Sequence, residues 1–369
     1  MSVISFKCPN CDGELIFDPD SQKYKCEYCG AEFSQEELDA LEPAQGEERQ
    51  AEAGPETGTE TEQNSGEEKQ ADDKEQQADE NVVVYTCPSC GAEIVTDATT
   101  AATFCYYCHN PVVLLGRVSG EYLPEKIIPF AINKEKAVAE FLAYVGKKKF
   151  VPKDFFNKKQ IETMTGVYFP FWMLDCDLTG TMDAEATKVR TWIAGKEEFT
   201  ETRFYHVVRE GSVSINDLTK NALKKANHVL VEGVLPYRFD EMKDFNMGYL
   251  SGFLAEKRDI EQTEIEVTMM GEMQQYAGNL MRETVQGYSH VKVNGTNLVP
   301  AKKDFDYVLL PLWTITYKGK DGKVYYYSMN GQTGKICGEL PVDKVKITFT
   351  GILVAVIVLA IVLLGGILL

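Results

Sequence analysis

The chain has 369 residues and a formal net charge of −18, enough length for one large or two modest folded domains plus small modules. Seventeen acidic and only three basic residues lie between Glu36 and Glu80, so the remainder is nearly neutral. That balance excludes a large basic surface of the kind that binds nucleic acid.

Residues 1–33 hold Cys8-Pro9-Asn10-Cys11 and, fourteen residues on, Cys26-Glu27-Tyr28-Cys29. Residues 82–118 repeat the arrangement with Cys87-Pro88-Ser89-Cys90 and Cys105-Tyr106-Tyr107-Cys108. Two C-x-x-C knuckles at one separation place four thiolates at the corners of a tetrahedron, the geometry of a structural zinc ribbon. The expected ligands are Cys8, Cys11, Cys26 and Cys29 for one ion, and Cys87, Cys90, Cys105 and Cys108 for a second. Such small units cannot build a core, so metal binding must supply their folding energy. Four thiolates also suit iron, and paired disulfides would fit a secreted module. No signal peptide precedes the first knuckle, and the spare thiols Cys176 and Cys337 suit a reducing compartment, hence the cytosol. Gly30 and Gly91 follow their knuckles directly, where backbone amides approach a thiolate. His109 follows Cys108, but four cysteines already fill the site, so it reads as a surface residue. In the first ribbon, Leu15, Phe17, Tyr24 and Phe33 are the candidate apolar contacts, and Asp18-Pro19-Asp20 is its hairpin turn.

Residues 34–81 contain no aromatic residue, and after Leu41 no large aliphatic one. The stretch reads as a disordered acidic linker, a solvated tether or an acidic interaction tail. It predicts a first ribbon free to move around the rest, and a second ribbon, opened by a strand at Val82–Tyr85, that packs on the domain it runs into.

Residues 119–346 read as an antiparallel α+β domain. Asn133 caps a helix whose Ala137, Val138, Phe141, Leu142 and Val145 share a face, with Gly146 at its end. Lys147, Lys148 and Lys149, with Lys153, Lys158 and Lys159, form the chain's basic cluster, read as a solvated helix end. Val167–Leu174 and Tyr307–Ile315 look like two copies of one strand, with Pro170 matching Pro311 and Trp172 matching Trp313, a weak internal repeat. Each opens a meander, the first through Lys188–Ile193 and Thr202–Val208. Proline at one place in both predicts an edge or a bulge. Helices are predicted over Leu218–Val229 and Glu261–Val285, the second with Ile265, Met269, Met273, Tyr276, Leu280 and Met281 on one face as a core stripe. Asn294-Gly295, Lys320-Asp321-Gly322 and Asn330-Gly331 read as turns, the last leading into Lys335–Cys337.

Residues 347–369 carry no charge. Gly351–Leu369 would span about 28 Å as a helix, the thickness of a bilayer core. Lys344 and Lys346 before it predict a single-pass anchor in the cell membrane with the bulk of the chain cytoplasmic.

The chain lacks a Walker loop: Gly331–Lys335 is too short for one, and no hydrolase or zinc-protease motif occurs. Cys176 lies between Asp175 and Asp177, which argues against a nucleophile. No enzymatic activity, helicase activity included, is expected.

The Cys87–Cys108 ribbon, Gly166-Val167-Tyr168-Phe169-Pro170-Phe171-Trp172, Tyr249–Glu256 and Asn330–Lys335 together resemble a family of bacterial membrane proteins, chiefly from Gram-positive organisms. Its members carry transcription-factor-IIB-type zinc ribbons before an α+β domain and a C-terminal membrane segment. They are often labelled primosomal helicases on the strength of the ribbon, and some accompany phage-shock-type membrane-stress proteins. The resemblance implies a membrane-anchored zinc-ribbon adapter that docks cytosolic or membrane proteins. The alternative is a nucleic-acid binder at the membrane, which the absence of Lys and Arg between Cys87 and Cys108 disfavours.

Overall fold

The computed structural model describes residues 3–41, 82–105, 108–152, 164–318 and 324–368. The expected linker beyond Leu41, the lysines 153, 158 and 159, and the 320–322 turn lie outside them.

The first ribbon comprises β1 (Val3–Ile4), β2 (Leu15–Asp18), β3 (Lys23–Cys26), β4 (Glu32–Phe33) and helix α1 (Gln35–Leu41). Residues 35–41, expected within the linker, are therefore helical. Ser34 caps them, its hydroxyl accepting from the Glu37 amide while the Glu37 carboxylate accepts from the Ser34 amide, a reciprocal cap legible in the S-x-x-E spacing. The second ribbon comprises β5 (Val82–Thr86), β6 (Glu93–Asp97), β7 (Thr100–Phe104) and β8 (Pro111–Leu114).

The body follows as β9 (Lys126–Ile127), α2 (Lys134–Gly146), β10 (Thr165–Ala194), β11 (Glu197–Asn221), α3 (His228–Glu232), β12 (Lys243–Asp244), β13 (Leu254–Glu256), α4 (Gln262–Glu283), β14 (His290–Lys318), β15 (Val324–Asn330), β16 (Ile336–Gly338) and α5 (Lys344–Leu368). The principal sheet runs β1-β8-β7-β13-β10-β14-β15-β16, with β11 beside β10, β9 beside β14 and β12 beside β9. The architecture is thus mixed α and β.

Strands β10 and β14 pair antiparallel along almost their whole length, with Phe169 opposite Leu310. Their outer neighbours correspond position by position. Strand β13 pairs parallel to β10 at Val167 and Tyr168, and β9 pairs parallel to β14 at Val308 and Leu309. Beyond these, Phe171 meets Asn221 of β11 as Leu312 meets Asn330 of β15. Pro170 and Pro311 sit in the gaps where one neighbour hands over to the next. Their carbonyls accept from Ala222 at 2.9 Å and Gly331 at 2.8 Å. Neither proline lies at an edge or a bulge, contrary to expectation. A residue without an amide proton is tolerated in a central strand because no partner carbonyl is waiting at that point. The Trp172 indole N–H donates to Ile260 O and the Trp313 indole N–H to Ile132 O, both at 2.9 Å.

Along β10 the even-numbered positions Cys176, Leu178, Met182, Ala184 and Ala186 are buried while Thr179, Thr181 and Glu185 face outward, the period of a half-covered strand. Helix α4 covers the buried face with Met269, Met273, Ala277 and Met281, spaced four apart as a helical stripe requires. Tyr276 and Leu280, expected on that stripe, are exposed. Helix α2 begins at Asn133, whose side chain accepts from the Lys136 amide at 2.7 Å, and buries Ala137, Phe141 and Val145.

Two local expectations fail for tertiary reasons. Leu218–Asn221 continue β11, paired to Phe171–Leu174, and of the expected helix only His228 and Val229 are helical, at the start of α3. Strand pairing overrides helical spacing where a long partner is available. Asn294-Gly295 makes no hairpin: β14 runs through it, and a register shift between Asp183 and Ala184 marks a bulge there. Asn294 donates to Asp183 at 2.9 Å.

Gly180 generates a test. A methyl there would fall on the Asn297 carbonyl oxygen of the facing strand, so Gly180→Ala should destabilise the body by about 1–3 kcal/mol in denaturant melts, the typical cost of overpacking. Trp172→Phe and Trp313→Phe each strand a carbonyl and should each lower stability by about 1–3 kcal/mol; a loss at one site only would show that the two contacts are not equivalent.

Candidate metal centres

All eight expected cysteines gather into two clusters, Cys8–Cys11–Cys26–Cys29 and Cys87–Cys90–Cys105–Cys108, the sulfurs of each lying within 4.8 Å of one another. Cys8 and Cys29 are 3.7 Å apart and Cys11 and Cys26 3.5 Å; in the second cluster Cys87–Cys108 and Cys90–Cys105 are both 3.7 Å. A tetrahedron with metal–sulfur bonds of 2.3 Å has edges of about 3.8 Å. The cages therefore have the size for a zinc ion, and four thiolates leave no open position. Cys176 and Cys337 take no part.

One backbone device builds all four knuckles. The residue after each second cysteine adopts positive φ: Asp12 (58°), Gly30 (72°), Gly91 (73°) and His109 (61°). Its amide donates to the carbonyl of the first cysteine, at 2.9 Å in every case. The first cysteine's amide in turn donates to the carbonyl five residues on: Gly13, Ala31, Ala92 and Asn110, at 2.6, 2.9, 2.8 and 2.9 Å. The sequence points to the two glycines but not to Asp12 and His109, whose shared place after a knuckle was the available signal. His109 is exposed and is not a ligand candidate.

The thiols respond to the crowding. Burial, relieved in part by the Asn110 amide, and the neighbouring Cys90, Cys105 and Cys87 thiols push Cys108 up to about 12. The Cys29 backbone N–H leads the contacts that bring Cys26 down to about 7. Four sulfurs this close cannot all ionise unless a cation shares the cage, so metal uptake must expel protons. Burial, and then Asp177, raises Cys176, which leaves it a poor nucleophile.

The first ribbon is not free, contrary to the tether reading. Strand β1 pairs with β8 of the second ribbon, Val3 opposite Leu114. The Phe17 amide donates to Ser251 O at 3.1 Å, and the Ser251 hydroxyl to Leu15 O at 2.6 Å. Phe17 packs edge-on against Tyr249 at 5.1 Å, and Leu15, Phe17 and Tyr24 join the main core. Gly252, at φ +92°, lies against Ile16. The ribbon's few apolar residues were visible in the sequence, but not the apolar surface waiting for them more than 200 residues away. Ser89 of the second ribbon donates to Glu14 of the first at 3.0 Å. Burial raises the Glu14 carboxyl; Ser89 and Lys7 oppose it.

The second ribbon is anchored as expected. Ala102 of β7 faces Ala255 of β13. Lys225 bridges Asp97, the last residue of β6, at 2.7 Å and Glu256 at 2.9 Å. Where both ribbons meet the body, a cleft of about 920 Å³ opens, lined among others by Ile16, Phe104, His109, Lys134, Phe253 and Trp313.

The full-length chain, purified in detergent, should contain close to two zinc ions by elemental analysis. Cys11→Ser should retain one. Because the first ribbon is docked, the same change should also remove hydrogen-exchange protection around Ser251 and in β8. Loss confined to residues 3–41 would mean that the docked arrangement is not the one in solution.

No protein-family model matches the chain, and no solved structure matches it. It is similar to a protein of Bacillus subtilis (strain 168) named "Uncharacterized protein YdjG", with 29% identity over 352 residues, covering 95% of this chain and 94% of that one.

Proposed function

We propose that the protein is a membrane-anchored adapter in which two structural zinc ions hold the ribbons against an α+β body that presents a docking surface to other proteins on the cytoplasmic side. The observation that carries this reading is the closure of both metal cages by four cysteines. A site without an open position stabilises a shape and does not activate water or substrate. The cleft between ribbons and body, bounded by parts that the metals hold in place, is the natural seat for a partner. One helix among the described residues is long and apolar enough to cross a membrane, Lys344–Val362, and none of it is buried against the body. Lys344 and Lys346 at its start favour a cytoplasmic body. The matched neighbours of β10 and β14 support a body built from two related strand–helix–strand units facing each other. The likeness to a family of zinc-ribbon membrane proteins fits the same arrangement, as does a role in membrane stress.

The test is crosslinking in intact cells, with the full chain compared to a version lacking 347–369 and to Cys90→Ser. A specific protein partner that stays with the membrane only alongside the full chain, and is lost in Cys90→Ser, is the expected result. External protease cutting the ribbons of intact spheroplasts would overturn the orientation. Submicromolar nucleic-acid binding that weakens steeply with salt would replace the adapter reading.

A further inference from the structure

Three cations converge where the second ribbon meets the body. Arg117, in the short turn of helix after β8, is 7% exposed. Its Nε donates to Tyr85 Oη at 3.1 Å, and among the described residues no carboxylate pairs with it. Arginine is rarely buried to this degree without an acidic partner. Lys257 follows β13 directly, tied by its amide to Thr99 O of the second ribbon at 2.7 Å. Its ammonium lies 3.9 Å from the centroid of the Tyr122 ring and likewise has no ion pair. Arg258, 5% exposed, is enclosed by Tyr122, Trp172 and Tyr307 at 5.2, 5.1 and 5.6 Å. It pairs with the Glu261 carboxylate and donates to Glu121 O, but among the described residues its Nε has no partner.

A packing role accounts for Arg258, which Glu261 neutralises and three rings stack upon. It does not account for Arg117 and Lys257. Burial, and then repulsion from Arg117 and Arg258, holds the Lys257 ammonium below the usual lysine range; Asp259 and Glu121 offset this only in part. Asp259 is already committed to the Lys224 amide at 2.7 Å. Like charges brought together in a half-buried place cost free energy that an entering anion would recover.

We propose that Arg117 and Lys257, with Arg258 adding to the field, form a binding site for a small phosphate-type oxyanion. The guanidinium offers a planar fork of donors, and the ammonium a point charge. Lys257, partly exposed, marks the open side. This inference is independent of the adapter reading.

The probe is inorganic phosphate, titrated into the detergent-solubilised full chain and followed by thermal unfolding, with chloride at equal ionic strength as the reference. Saturable stabilisation by phosphate over chloride is expected. Lys257→Gln should weaken the apparent affinity by roughly tenfold or more, the loss of one charge-assisted contact. Arg117→Lys, which keeps the charge but removes the fork, should weaken it as well. A second arm places the chain in nanodiscs of phosphatidylcholine, with or without phosphatidic acid. Phosphate stabilisation that phosphatidic acid leaves intact assigns the site to a free anion; stabilisation by phosphatidic acid that abolishes the phosphate response assigns it to a lipid headgroup. No advantage of either over its reference, or a response unchanged in Lys257→Gln, overturns the proposal.

Discussion

The body rests on one register, Phe169 opposite Leu310 between β10 and β14. It places Pro170 and Pro311 where each strand changes partner, and so lets two prolines occupy the middle of a sheet without losing a ladder bond. It also sets the two tryptophans to reach across, each indole held by a carbonyl from the far side of the sequence. A slip of one residue would turn Leu178, Met182, Ala184 and Ala186 away from α4 and toward solvent. The buried amides of Asn221 and Asn330 resist such a slip. Both residues are fully buried at the ends of the neighbouring strands, donating to Leu223 O at 2.7 Å and Val234 O at 3.1 Å. A displaced strand would strand these donors in the core.

What could be read from the sequence divides along the range of the interactions. The metal cages were fully legible because ligand identity and spacing are local properties of a knuckle. Asn133 and the Ala137–Phe141–Val145 stripe were legible for the same reason. The turn from Asn330 to the 336–338 strand was also legible, although the residue with positive φ in it is Gly334, at 75°, and not Asn330 or Gly331. The likeness around Pro170 and Pro311 extends to their strand neighbours, where Asn221 and Ala222 match Asn330 and Gly331. Contacts between remote segments left no local mark. The Leu218–Asn221 stretch has helical spacing yet follows β10, and the docking of Phe17 on Tyr249 depends on segments far apart in sequence. Arg117, Lys257 and Arg258 carry no motif, because their environment comes from three different elements.

The metal cages therefore act at a distance from their ligands. Each ribbon contributes strands or side chains to a sheet and core that belong to the body, and Ser89–Glu14 joins the ribbons to each other. An ion that fixed four cysteines would also help to fix β1 against β8, β7 against β13 and Phe17 against Tyr249. The cleft at this junction takes its shape from all three parts, so ions bound in the two cages would help to set its geometry.

The exchange of contacts between β9 and β14 also bears on how the chain is made. Glu125, just before β9, donates its amide to Tyr307, 182 residues later. At the usual 5–20 residues per second, that interval lasts on the order of 10–40 s. Throughout it Ile127, Ile128 and Phe130 are synthesised but lack the strand that buries them. The N-terminal half must wait, with its apolar surface uncovered, for the C-terminal half. Native pairing can close only shortly before the apolar helix emerges, so folding of the body and release of that helix from the ribosome fall within the same narrow window.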